Sequence, residues 1–189
     1  RIDVLINNAG LSMRGLFEQT PPDILKKLMD INFWGMVYCT HYALPYLLES
    51  KGSLVGISSI AGFQGLPGRI GYSSSKFAMH GFLETLRLET MKQGLHVMIA
   101  APGFTSTEVR KNALNPDGKM QGESPRDESK MMTPEKVAKV IFWGIRKRKR
   151  LIVMTTEGKF TVLLKRIAPK WIEKLTYRVM AREPNSPFK

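Results

Sequence analysis

Tyr72 and Lys76 stand four residues apart in the run Tyr72-Ser73-Ser74-Ser75-Lys76, so on a helix starting near Gly71 they share one face. A phenol with its ordinary pKa of about 10 is a poor acid–base catalyst at neutral pH. A fixed ammonium one turn away favours the phenolate and brings that pKa towards the working range. Upstream, Ser59 ends the run Val55-Gly56-Ile57-Ser58-Ser59 and adds a hydroxyl able to donate to a carbonyl oxygen or a developing alkoxide. Together the three side chains point to proton transfer coupled to carbonyl–alcohol chemistry.

A Tyr-x-x-x-Lys spacing recurs by chance on many helices, so its surroundings decide. Asn7-Asn8-Ala9-Gly10 follows the apolar run Val4-Leu5-Ile6, Ser58-Ser59 follows Leu54 to Ile57, and Pro102-Gly103 follows Val97 to Ala101. Each falls where a buried strand ends, and ligands of open parallel sheets bind outside the carboxyl ends of the strands. Three strand ends and the helix start at Gly71 therefore converge on one crevice. Between strands, Pro21-Pro22-Asp23 opens a long helix expected to run through Asn32 to about Leu48, with Pro45 bending its last turns. Asn32 is polar among Ile31, Phe33 and Trp34, and needs a partner if buried.

In this order, Asn-Asn-Ala-Gly, Asn32, Ser59, Tyr72 with Lys76, and Pro102-Gly103 resemble the short-chain dehydrogenase/reductase family over residues 1 to about 151. The local text Ser58-Ser59-Ile60-Ala61-Gly62 with Tyr72 to Ala78 is similar to the branch of 11-beta-hydroxysteroid dehydrogenases and their bacterial relatives. The resemblance implies an α/β fold, a Rossmann-like doubly wound parallel sheet, and an oxidoreductase using NAD or NADP to interconvert a secondary alcohol and a carbonyl. It makes Tyr72 the general acid/base, Lys76 the group that tunes it and binds the nicotinamide ribose, and Ser59 the holder of the substrate oxygen. Asn32 would anchor a water leading from Lys76 to solvent. Asn7, Ala9 and Gly10 would lie along the cofactor, Pro102 and Gly103 would shape the nicotinamide pocket, and Thr105 and Thr107 would contact it. Thr105 departs mildly from the branched aliphatic residue usual there.

The glycine-rich turn that holds a dinucleotide's pyrophosphate at a helix N-terminus is not found. Gly62, Gly65, Gly68 and Gly71 recur every third residue, but between Ser59 and Tyr72. The chain is therefore expected to correspond to such an enzyme without about its first three strands, on the order of 80 residues by the usual repeat. Residues 1–157 are assigned to the catalytic domain, with a substrate loop at 104–132 in which Met131 and Met132 are adaptable contacts. A non-catalytic binding or membrane-surface module is the alternative.

At 189 residues and 43% apolar content, one domain with a real core is expected. The single cysteine, Cys39, excludes a disulfide framework and is read as a small apolar residue on a buried helix face. The histidines show no metal-ligand spacing. Charge is uneven: residues 1–100 carry 9 Lys and Arg against 7 Asp and Glu, residues 101–189 carry 20 against 9. Arg146 to Arg150 forms the densest basic run, but no aromatic residue interleaves with it, so nucleic acid is not expected. Residues 158–189 place Phe160, Leu163, Leu164, Ile167, Trp171, Ile172, Leu175 and Val179 at helical spacing beside basic residues, interrupted at Pro169. Such a tail can lie on a membrane interface. The expected partners are thus an apolar small-molecule alcohol or carbonyl, a second copy of the chain, and a lipid surface, with a cytoplasmic setting.

Overall fold

Four strands, β1 (Val4–Asn7), β2 (Ser53–Ile57), β3 (His96–Ala101) and β4 (Leu151–Val153), pair in parallel in the order β1-β2-β3-β4. The structure is a computed structural model and describes residues 1–122, 129 and 131–188. The apolar runs in β2 and β3 are continuous because both faces of the sheet are covered. On one face Leu54, Val97 and Ile99 pack with Met36, Leu47, Met79 and Leu83. On the other, Val55, Met98 and Ala100 pack with Val137 and Ile141. Alternate residues of the same strands thus feed two cores.

The helices that supply these faces are α1 (Pro22–Met29), α2 (Gly35–Glu49), α3 (Ile70–Glu89) and α4 (Pro134–Arg146). Thr133 caps α4, its hydroxyl accepting from the Lys136 N–H, with Pro134 in the first turn as its sequence requires. The long helix expected across Asn32 is instead interrupted. A π-helical turn at Asp30–Trp34 separates α1 from α2, with the Gly35 N–H bonded back to the Asp30 carbonyl. α2 then continues through Pro45 to Glu49. Cys39 is exposed, contrary to the buried position expected for it, because α2 turns Met36, Thr40, Ala43 and Leu47 inward.

After β4, α5 (Thr156–Ile167) and α6 (Pro169–Ala181) form a helical pair, broken at Ala168-Pro169. Ile172 and Met180 are buried, whereas Phe160, Leu163, Ile167 and Trp171 are exposed. The chain then turns back to the loops near the start of α3. Glu183 is buried and pairs with Arg69 at 3.1 Å and with Arg14 at 3.9 Å, while the Arg14 guanidinium also donates to the Pro184 carbonyl.

Of the 104–132 loop, residues 123–128 and 130 lie outside the described residues. Its described parts are tied down by short parallel bridges, Thr105 to Met132 and Met13 to Leu114. The basic run at 146–150 precedes β4 and so lies at the amino edge of the sheet, away from the strand exits. Arg148 donates there to the carbonyls of Lys51 and Gly94, and Lys149 stands over the Trp143 ring at 5.5 Å.

Candidate active site

The exits of β1, β2 and β3 line one edge of the sheet, and α3 begins beside them. Ser59 follows β2 in extended conformation, with its Oγ accepting from the Ala61 N–H at 3.2 Å. Ser59 also faces the Tyr72 phenol in the first turn of α3, close enough for its hydroxyl to favour the phenolate. One turn on, the Lys76 ammonium is 3% exposed, donates to the Ile57 carbonyl at 2.8 Å, and stands 5.7 Å from the centroid of the Tyr72 ring. Ser59, Tyr72 and Lys76 therefore meet where their spacing places them.

Asn32 is 1% exposed, and the π-helical turn delivers its amide between two segments. Its Oδ1 accepts from the Leu11 N–H at 2.7 Å, and its Nδ2 donates to the Leu11 carbonyl at 2.9 Å and to Ser75 Oγ at 2.8 Å. Ser75 passes the link to α3 by donating to the Tyr72 carbonyl at 2.8 Å. The amide thus fastens the β1 exit to the catalytic-type helix, with both of its N–H donors satisfied. Asn7 donates to Thr40 Oγ1 at 3.2 Å, tying the end of β1 to α2.

Ala9 and Gly10 are exposed at the β1 exit. A Cβ on Gly10 would lie 3.5 Å from Asn32 Oδ1 and 3.6 Å from Lys76 Nζ, so this bare backbone runs directly past the ammonium. Pro102 and Gly103 follow β3, and a Cβ on Gly103 would sit 2.5 Å from the Thr155 methyl, which leaves glycine as the residue that fits. Thr105 Oγ1 donates to the Gly103 carbonyl at 3.2 Å, and Thr107 lies further along the same loop. The expected positions therefore gather at one edge, with Thr107 farther along.

Electrostatics differ from expectation at the phenol. Burial raises the Tyr72 pKa, and neither the Ser59 hydrogen bond nor the Arg69 charge, which both lower it, outweighs that. Burial also lowers Lys76 to about 8, since an ammonium held away from water is disfavoured. Sequence reasoning overlooked Ser75, Arg69 and His80. His80 is buried, with Nε2 2.7 Å from Ser58 Oγ, and burial first, then the charges of Lys76 and Arg87, lower its pKa to about 4. Its position four residues beyond Lys76, on the same helix face, was the signal available.

The chain belongs to the short-chain dehydrogenase family, whose sequence model matches residues 1–117. It is 35% identical over 182 residues to mouse dehydrogenase/reductase SDR family member 7B, covering 95% of this chain and 55% of that protein. The chain thus spans about half the length of the curated relatives it matches. Among solved structures, a short-chain dehydrogenase from Streptomyces avermitilis superposes with a TM-score of 0.74 at 26% identity, over 96% of this chain and 71% of that one. ElxO with NADP bound superposes with a TM-score of 0.68 at 30% identity, over 81% and 65% of the two chains.

The buried ammonium sets a pH dependence of stability. Lys76 has a folded pKa of about 8 against 10.5 for the ordinary group, so between these values the unfolded chain holds the extra proton. Stability from this group therefore rises as pH rises from about 8 towards 10. Urea midpoints of the wild type should increase across that window, and Lys76→Met should abolish the increase; an unchanged slope in the variant would assign it elsewhere.

Proposed function

We propose that this chain forms the substrate-side half of a nicotinamide-dependent oxidoreductase that interconverts a secondary alcohol and a carbonyl. The observation that carries the reading is the convergence of Ser59, Tyr72 and Lys76 at the β2 exit, beside the bare backbone of Gly10. The donor set suits a ribose. Lys76 has three N–H donors, of which one meets the Ile57 carbonyl and another only the weak acceptor Met79 Sδ at 3.5 Å. Vicinal hydroxyls laid along Ala9 and Gly10 would find the ammonium within reach, and Pro102, Gly103, Thr105 and Thr107 would border the nicotinamide. When bound, NAD or NADP supplies hydride donor or acceptor chemistry.

The chain's own residues handle the proton and the oxygen. In reduction, the Ser59 hydroxyl and the Tyr72 O–H both donate to the substrate carbonyl oxygen, and the phenol proton moves to that oxygen as the alcohol forms. In oxidation the phenolate takes it back. A phenol raised by burial is a ready donor but a reluctant phenolate. The Ser59 hydrogen bond and the Arg69 charge offset part of that reluctance, and Asn32 with Ser75 holds the helix that carries Tyr72 and Lys76. ElxO, which this chain resembles, binds NADP, and that supports a nicotinamide partner here; titration with NAD and NADP would distinguish between the two. In the full-length protein, Tyr72→Phe should lower turnover at least about a hundredfold, the usual scale for a positioned acid–base group. Near-normal turnover in that variant would refute the mechanism.

Two surfaces support the further partners. Trp34, Tyr38, Tyr42 and Tyr46 are exposed at four-residue spacing along the helix face from the π turn into α2, and Phe77 and Leu88 are exposed on neighbouring α3. This apolar face suits a second copy of the chain. Sedimentation should show a dimer that Tyr42→Asp shifts to monomer; an unshifted dimer would move the interface elsewhere.

On the tail, Phe160, Leu163, Ile167 and Trp171 form an exposed ridge, with Phe160 and Trp171 edge to face at 6.3 Å. Lys159, Arg166, Lys170 and Lys174 are exposed beside it. No helix among the described residues is long and apolar enough to cross a membrane. An amphipathic basic pair of this kind instead suits the headgroup layer of anionic lipid. The basic run at 146–150 is at the opposite edge of the sheet, so the tail is the part assigned to this contact. The protein should float with phosphatidylserine vesicles, and Ile167→Glu should release it; equal flotation with neutral vesicles would discard the electrostatic half of the reading.

A further inference from the structure

His80 stands two turns beyond Tyr72 and one beyond Lys76 in α3, so the three share one helix face. Each grips a different residue of the β2 exit. The Tyr72 phenol meets Ser59, the Lys76 ammonium meets the Ile57 carbonyl, and His80 Nε2 lies 2.7 Å from Ser58 Oγ. Ser58 is 3% exposed and His80 8%. The Ser58 N–H is already used on the Ala100 carbonyl at 2.7 Å, so the side chain is what ties this residue to α3.

The surroundings are close-fitting. A Cβ on Gly62 would lie 2.6 Å from Ser58 Oγ and 2.7 Å from His80 Nε2, so the loop after Ser59 closes directly over the pair. Phe63 stands edge-on to the imidazole with centroids 4.4 Å apart. The charged groups that act on the ring, Lys76 and Arg87, are both cations and, with burial, keep it neutral at physiological pH. A neutral ring bonds a hydroxyl in either tautomer and adds no second cation beside Lys76.

We propose that His80 is a positioning residue, which through Ser58 Oγ fixes the Ser58–Ser59 link and hence the direction of the Ser59 hydroxyl towards the substrate oxygen. Within its own turn Ser59 is held by the Ala61 N–H on its Oγ at 3.2 Å and the Gly62 N–H on its carbonyl at 3.0 Å, so the direction of its hydroxyl follows that of the Ser58–Ser59 link. With Ser58 released, rotation about the intervening backbone bonds would swing that hydroxyl, and small misplacements of reacting groups are costly. The inference rests on the oxidoreductase reading above.

The test is a double-mutant cycle in the full-length protein, with Tyr72→Phe as a separate control. His80→Leu and Ser58→Ala should each lower kcat about tenfold or more, leaving the KM for cofactor unchanged. The double variant should be no worse than either single one, because both break one contact. His80→Gln, whose amide can still meet a hydroxyl, should recover most of the loss. Thermal midpoints measured alongside separate folding from positioning; should His80→Leu fail to fold, Ser58→Ala and His80→Gln still carry the comparison. Multiplying losses in the double variant, or near-normal kcat in Ser58→Ala while Tyr72→Phe is inactive, would overturn the positioning role alone. Full turnover in Tyr72→Phe would overturn the oxidoreductase reading and the inference with it.

Discussion

An ammonium group removed from water is the constraint around which this molecule is arranged. Lys76 sits 3% exposed in the middle of α3, and its main compensation is one backbone carbonyl at the end of β2. Desolvating a cation in this way is tolerated only where hydrogen bonds and geometry are fixed by the surrounding structure. The fixing is visible on both sides. The strand end is held in register between β1 and β3, and the helix is held by Ser75, Asn32 and the backbone of Leu11. The charge is therefore a property of the sheet edge as much as of the lysine.

That arrangement links local backbone irregularity to chemistry. A regular helix through residues 30–34 would rotate every later side chain of α2 by a different amount. The π-helical turn instead puts Asn32 inward while leaving Met36, Thr40, Ala43 and Leu47 on the buried face. Asn7 reaches Thr40 on that same face. Position and packing are thus reconciled by one inserted turn rather than by a special side chain.

The parallel strands, the helix starts at Pro22 and Thr133, and the meeting of Ser59, Tyr72 and Lys76 were legible because each depends on short-range pattern. Apolar runs bounded by turn sequences specify strands, a capping threonine before proline specifies a helix start, and a four-residue spacing specifies a shared face. Three features were not legible. The π turn at Asp30–Trp34 has no compositional mark, since its residues read as ordinary helix. Exposure of Cys39 depends on which of two apolar faces α2 buries, and Tyr38, Tyr42 and Tyr46 make the outer face as apolar as the inner. The direction of the Tyr72 shift depends on how burial weighs against neighbouring charge, a three-dimensional quantity. His80 was within reach of the spacing rule, but a lone histidine on a helix more often packs than acts.

The ion pairs of Glu183 join the turn after α6 to Arg14 and Arg69, the latter three residues before Tyr72. The pairing of Glu183 with Arg69 spans 114 residues of chain, so the loops flanking the phenol are closed by a contact of very long range. Contacts of such wide sequence separation form late, because their loop must close before they contribute. The surroundings of the phenol thus rest on a pairing of wider sequence separation than any between neighbouring strands of the sheet, and are expected to mature after it.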